Sequence, residues 1–191
     1  LVYCEDRAVL GTPFYVMERL EGRVFPQTDL PDVPAPQRRL MYQSMAETLA
    51  RLHAVDWRAC GLDDFGRPGN YFVRQIGRWT KQWLGSKDRE NPHMDRLIQW
   101  LPANIPDDDE TTINHGDFRL GNLMFHPSEP QVIGVLDWEL STLGHPLADL
   151  AYNCISWHTP PAVFSGLHGL DLAGLALPLE SEYLEHYYRL S

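Results

Sequence analysis

An α+β fold class follows from three features of the sequence. Short β-rich runs open the chain, at Val2 to Cys4 and Pro13 to Leu20. A long middle section then places its apolar residues at helical spacing, and two short apolar runs split by a tight polar turn follow before helical spacing returns. The order is strands, helices, hairpin, helices. With 191 residues, 43% of them hydrophobic and 11% aromatic, the chain can bury one sizeable core.

Each element carries its own signal. The opening runs flank the polar, Gly-containing stretch EDRAVLGT, which predicts two strands joined by a turn. EGRVFPQTDLPDVPAP holds four prolines and little periodicity, as a connector does. From Pro36, the positions Leu40, Met41, Met45, Leu49 and Leu52 recur at helical spacing, and a proline suits the first turn, so a helix to about His53 with one buried face is expected. Phe72, Ile76, Trp79 and Trp83 make the stripe of a second helix from Tyr71 to Leu84; Met94, Leu97, Ile98 and Leu101 make that of a third from His93. Trp79, Trp83 and Trp100 are expected in the core or on a groove wall. After the acidic loop PANIPDDDET, the runs LMFH and VIGVLDW joined by PSEP carry a hairpin signature. Pro146 opens a helix with Leu147, Leu150, Ala151, Cys154 and Ile155 on one face, and Glu180 to Leu190 forms the last.

Composition excludes several classes of partner. A formal net charge of −10, from 26 acidic and 16 basic residues, argues against nucleic acid, which needs clustered cations. No apolar run reaches the roughly eighteen residues that a membrane-spanning helix requires, so no membrane partner is expected. Cys4, Cys60 and Cys154 lie far apart without CxxC spacing; this suggests neither a disulfide framework nor a thiolate zinc site and fits a cytoplasmic location. The chain opens without Met or a signal pattern and stops within the helical pattern SEYLEHYYRLS, so a piece of a longer protein, incomplete at its C-terminus, is expected. The residues do not specify an oligomeric state.

Polar chemistry concentrates in HGDFRLGNLMFHPSEPQVIGVLDWE, from His115 to Glu139. Asp117 precedes Asn122 by five residues, and the hairpin would fold Asp137 back toward both. A carboxylate, an amide oxygen and a second carboxylate suit magnesium, a hard cation that takes oxygen ligands and keeps waters for substrate phosphates. A carboxylate base beside such a metal suits phosphoryl transfer, in which the protein mainly positions the nucleophile and neutralises charge. Asp117 and Asn122 are also common turn residues. Asp137 stands in an apolar run, where a half-buried carboxylate is costly unless paired or metal-bound.

These residues carry a resemblance. HGDFRLGN matches the kinase catalytic-loop pattern H-x-D-x-x-x-x-N, and LDWE stands where protein kinases carry D-F-G. With STLGHPLADLAY after it, the segment resembles the aminoglycoside phosphotransferase and choline kinase superfamily, most of all the kinase-like domains associated with acyl-CoA dehydrogenases. GTPFYVMERLEG is similar to the strand and hinge of these kinases, and LARLHAVD to their long helix. The resemblance implies a protein-kinase-like fold, with residues 1–21 ending the N-terminal lobe and hinge and residues 22–191 forming a helical C-terminal lobe. It implies an ATP- and Mg2+-dependent phosphotransferase that acts on a small-molecule hydroxyl, a hydroxylated acyl metabolite in preference to an aminoglycoside.

The same resemblance assigns roles. Asp117 is the implied catalytic base, and Asn122 and Asp137 the implied magnesium ligands. His115 is implied as a packing and hydrogen-bonding residue of the loop. Asp149 is implied as its brace, although its place also suits a helix N-terminus favoured by the dipole. The peptide groups of Glu18 and Leu20 are implied to face adenine, their side chains mattering little. The family's Gly-rich loop and ATP-clamping Lys belong upstream of the hinge, so this stretch alone is expected to bind nucleotide weakly and transfer phosphate poorly.

Other residues leave alternatives open. Arg119 suits a phosphate or a surface carboxylate, and Trp157 beside His158 suggests an acceptor pocket. The acidic run Asp107 to Glu110 is a solvated loop, or a patch for a cationic acceptor. Two rival readings are a nucleotide-binding pseudokinase and a zinc or iron hydrolase built on His115, Asp117, His126, Asp137 and His145; the absence of HxxxH or HxH spacing argues against the second.

Overall fold

The computed structural model describes residues 1–191. Strands β1 (Val2–Cys4) and β2 (Phe14–Val16) pair antiparallel, with Val2 opposite Val16 and Cys4 opposite Phe14. The stretch between them is more ordered than a turn. A single helical turn, α1 (Arg7–Leu10), begins where the Asp6 side chain accepts the Ala8 N–H, and it ends at Gly11, whose φ of 81° a side chain would resist. The second strand also stops at Val16 and does not continue to Leu20.

The connector that follows is fastened to the hairpin. Arg23 and Phe125 exchange both backbone hydrogen bonds at 2.8 Å, and the Arg23 guanidinium donates to the carbonyls of His126 and Glu129. Gly22 permits the approach, since a Cβ there would lie 2.5 Å from the Phe125 carbonyl oxygen. Leu30 and Val33 then seal the connector into the core.

Helix α2 (Ala35–His53) is the central element, with Pro36 in its first turn. Its buried arc runs through Met41, Tyr42, Met45, Ala46, Leu49, Ala50 and His53, because it packs against the last helix on one side and the hairpin region on the other. Leu40 falls outside that arc and is exposed. The last helix, α6 (Glu180–Tyr188), brings Tyr183 to a cluster with Tyr42 and Trp157, ring centroids 5.2–6.3 Å apart.

Helices α3 (Tyr71–Ser86) and α4 (Pro92–Trp100) form an outlying pair in which no residue is fully buried. Val73, Ile76, Leu84 and Ile98 line a groove between them. Trp79 and Trp100 are exposed, at 56% and 58%, and so are not core residues. The pair is tied to the body at the start of α3, where Asp109 accepts the Asn70 N–H at 2.7 Å and Phe72 packs on the His145 ring at 4.8 Å.

The polar segment forms two nested antiparallel pairs. The outer pair is β3 (Thr112–Asn114) with β6 (Thr142–Gly144); the inner is β4 (Leu123–Phe125) with β5 (Val132–Val135), bulged at Met124/Phe125. Nesting brings the loop leaving β3 beside the loop entering β6. Helix α5 (Pro146–His158) follows at once, its first turn capped by His145, whose Nδ1 accepts the Leu147 N–H. Leu150 and Cys154 face the core, whereas Ala151 and Ile155 are exposed, so the apolar face is narrower than its sequence suggests. Helix α6 (Glu180–Tyr188) closes the domain against α2. No helix is long and apolar enough to cross a membrane.

Leu49 is fully buried at the middle of α2, so Leu49→Ala is expected to lose about 2–5 kcal/mol of stability. The check is a urea unfolding curve with a lower midpoint and an unchanged slope.

Candidate active site

The loop leaving β3 is shaped by what holds its backbone. Gly116 has φ of 83°, and a Cβ there would lie 2.6 Å from the Leu140 carbonyl oxygen, so the position excludes a side chain. The amides of His115 and Gly116 both point at Asp149 of α5, whose Oδ2 and Oδ1 accept them at 2.6 and 2.8 Å. Asp149 is 1% exposed, and these bonds offset the cost of burying its charge. The His53 Nε2 lies 3.5 Å from the same carboxylate, at the long limit of a hydrogen bond, and its Nδ1 meets the Tyr187 hydroxyl at 2.7 Å. The cap of α5 is supplied by His145, which leaves Asp149 to the loop.

His115 is wholly buried and joins the two loops. Its Nδ1 accepts the Asp117 N–H at 3.2 Å, so its Nε2 carries the proton donated to the Leu136 carbonyl at 2.8 Å. The Leu136 N–H in turn donates to the Asn122 carbonyl at 2.8 Å. Asp137, the next residue, is thereby placed against the loop that carries Asp117 and Asn122. Its φ of 65° lies in the left-handed region, which Asp tolerates better than most residues. Asp137 is exposed: β5 ends at Val135, and the chain turns outward before the carboxylate. The expectation of a half-buried carboxylate is therefore corrected. Trp138 covers the loop from outside, its ring 4.9 Å from that of His115.

The Asp117 carboxylate receives three side-chain hydrogen bonds, and its carbonyl a fourth. Asn122 Nδ2 donates to Oδ2 at 2.7 Å and to the Asp117 carbonyl at 2.9 Å; Arg119 Nε donates to Oδ2 at 3.2 Å; the Tyr152 hydroxyl donates to Oδ1 at 2.6 Å. Burial pushes the Asp117 carboxyl up, but the bonds from Tyr152, Asn122 and Arg119 outweigh it and hold the group below the ordinary Asp range. Asp117 is thus an anion at neutral pH. Burial, then the bond and charge of Asp117, push Tyr152 up to about 12, so its hydroxyl stays a donor. With its amide nitrogen given to Asp117, Asn122 keeps Oδ1 for another partner, and Asp137 offers an exposed carboxylate. Hard oxygen donors of this kind fit Mg2+.

Leu20 packs on β5, since a Cβ at Gly134 would fall 2.7 Å from its Cδ1; its side chain has a structural part that the sequence did not suggest. The peptide groups of Glu18 and Leu20 enter no backbone hydrogen bond. Trp157 is a correction. It is buried, its Nε1 donates to the Pro178 carbonyl at 3.1 Å, and its ring joins Tyr42 and Tyr183 in the core, where no acceptor reaches it. A cavity of about 200 Å³ opens instead one turn earlier on α5, lined by Tyr42, Met45, Arg119, Tyr152, Asn153 and Ile155 among others. Asp107 to Glu110 do not line it. Tyr152 and Asn153 were missed in the sequence, although their spacing of three and four from Asp149 places all three on one helix face.

The rival metal centre does not assemble. His126 accepts the amides of Ser128 and Glu129 in the hairpin turn, His145 caps α5, and no three His, Cys, Asp or Glu side chains converge.

Comparison with known proteins follows the same lines. The model of the APH phosphotransferase enzyme family matches residues 1–182. Mouse acyl-CoA dehydrogenase family member 11 is 46% identical over 191 residues, covering 98% of this chain and 24% of its own length. Mouse member 10 is 44% identical over 186 residues, covering 96% and 17%. A crystal structure from Ralstonia eutropha, of a protein provisionally assigned as an aminoglycoside phosphotransferase, is 50% identical with a TM-score of 0.95, covering 99% of this chain and 58% of that one. The chain thus spans a quarter or less of the two mouse proteins it matches.

Asp149→Asn puts an N–H donor where one loop amide now finds an acceptor. It is expected to cost at least about 2 kcal/mol and to speed exchange of the His115 and Gly116 amides. Thermal unfolding and amide exchange check this; wild-type behaviour in both would show the brace to be dispensable.

Proposed function

The chain belongs to the APH family of phosphotransferase enzymes, and on that footing we propose that it carries the catalytic loop of an ATP- and Mg2+-dependent kinase acting on a hydroxyl of a small molecule. One observation carries this reading. The bonds from His115 to the Leu136 carbonyl and from the Leu136 amide to Asn122 set Asp137 beside the loop of an ionised Asp117. A base and two oxygen ligands for a metal are the parts that phosphoryl transfer asks of a protein.

In this reading Asp117 orients the acceptor hydroxyl and receives its proton as the oxygen bonds to the γ-phosphorus, while the bond to the bridging oxygen breaks and ADP leaves with the electron pair. Asn122 Oδ1 and the Asp137 carboxylate hold Mg2+, which when bound neutralises phosphate charge. The free peptide groups of Glu18 and Leu20 read the adenine edge. Arg119, half-exposed and paired with Asp117, stands where it can meet a phosphate oxygen.

The acceptor enters the cavity that Arg119 and Tyr152, both bonded to Asp117, help to line; apolar and polar residues share that lining, and Arg119 is its one charged group. Asn153 lines it too. An uncharged or anionic acceptor fits this lining better than a polycationic aminoglycoside. The mouse relatives are named for acyl-CoA dehydrogenases, and with that name beside it we read the acceptor as a hydroxylated acyl metabolite. We place the reaction in the cytosol, where the three free cysteines stay reduced.

The test uses the protein at its full natural length, with ATP, Mg2+ and panels of hydroxyacyl thioesters and aminoglycosides. Asp117→Ala is expected to lower transfer by about 10²–10⁴-fold while ATP affinity stays nearly unchanged. Asp137→Ala is expected to weaken Mg2+-dependent ATP binding by about tenfold, the size of one charged contact. Wild-type turnover in Asp117→Ala would sink the assignment.

A further inference from the structure

Helix α5 addresses the catalytic loop residue by residue. Asp149 accepts the amides of His115 and Gly116, the Tyr152 hydroxyl donates to the carboxylate of Asp117, and Asn153 Nδ2 donates to the carbonyl of Phe118 at 3.1 Å. Asp149 and Asn153 hold backbone. Tyr152 is the residue of this face that reaches the side chain assigned as the base.

The two oxygens of that carboxylate are unequally loaded. Oδ2 accepts from both Asn122 and Arg119, whereas Oδ1 accepts from Tyr152 at 2.6 Å. A carboxylate oxygen offers about two lone-pair sites, so Oδ2 is filled and Oδ1 keeps one for a further donor. Tyr152 also lines the cavity of about 200 Å³ beside Asp117. Its hydroxyl is not driven to this bond by complete burial, because the side chain is half-buried and faces that open space.

We propose that Tyr152 is a positioning residue of the transfer reaction: its hydroxyl holds Asp117 with Oδ1 turned toward the cavity, and the acceptor hydroxyl donates to the lone pair that remains there. The proposal rests on the kinase reading above and deepens it. Tyr152 gives and takes no proton in the reaction; the acceptor's proton goes to Asp117 Oδ1. Without the tyrosine hydroxyl the carboxylate keeps its two bonds on Oδ2 and is free to swing Oδ1 away, so fewer bound complexes have base and acceptor in line. Nucleotide binding, made elsewhere, is untouched.

Tyr152→Phe keeps the ring and its packing and removes the hydroxyl alone. In the protein at its full natural length, the measurement is ADP formation from magnesium–ATP, with a short-chain hydroxyacyl-CoA thioester as acceptor and with water alone as a second acceptor. The expected result is a fall in kcat of about tenfold with both acceptors, the size of one hydrogen bond to a charged group, with KM for ATP within about twofold and an unchanged melting temperature. Asp117→Asn, assayed beside it, separates two failures. Wild-type turnover in Asp117→Asn would remove the base, and the role of Tyr152 with it. An inactive Asp117→Asn beside a Tyr152→Phe of wild-type kcat would leave the kinase reading standing and overturn the role of Tyr152. A loss in Tyr152→Phe that appears as a lowered melting temperature with kcat unchanged would also overturn it, since the hydroxyl would then serve the fold.

Discussion

The site hangs on one buried carboxylate. Asp149 takes two consecutive backbone amides at hydrogen-bond distance, and the loop from His115 to Asn122 can satisfy both only in one conformation. The positive φ at Gly116 turns the chain away from those two bound amides into Asp117, and the close approach of Leu140 denies that position any Cβ. A charge 1% exposed has no water to fall back on, so the loop and the helix order each other. The position of Asp117, one residue further on, follows from that mutual demand.

Nested strand pairs extend the constraint to the far side of the site. The outer pair fixes where the first loop begins and the second ends, the inner pair where the first ends and the second begins, and His115 bridges from one loop to the other through the Leu136 carbonyl. Asp137 therefore needs no packing of its own to be held in place. Its left-handed backbone and exposed side chain leave the carboxylate facing outward while its peptide neighbours stay bound. Covering the same loop, Trp138 keeps the His115 ring away from water.

Much of this was legible in the sequence where a period or a spacing carried it. The long helix, the hairpin and the HGDFRLGN pattern were all visible, because helical repeats, a polar turn between apolar runs, and a fixed Asp-to-Asn distance are local. What was hidden depended on partners distant in sequence. Thr112–Asn114 and Thr142–Gly144 are strands of three residues whose only sign is each other. Asp137 looked enclosed because the run before it is apolar, yet the strand ends two residues early. Trp157 beside a histidine resembled the rim of a pocket, but its register matches Cys154 and turns it toward Tyr42 and Tyr183, rings supplied by two other helices. Tyr152 was within reach of sequence reasoning, since its spacing from Asp149 gave it the same face.

The outlying pair α3 and α4 contributes no fully buried residue and is tied to the body near Asn70 and Phe72. Its cooperative link to the core is correspondingly thin, and it forms a unit whose local opening costs less free energy than unfolding of the whole. The loop from His115 to Asn122 is braced by α5 and through His53 by α2, not by this pair. The molecule therefore separates compliance from precision: one wing can open locally while Asp117, Asn122 and Asp137 keep their placement.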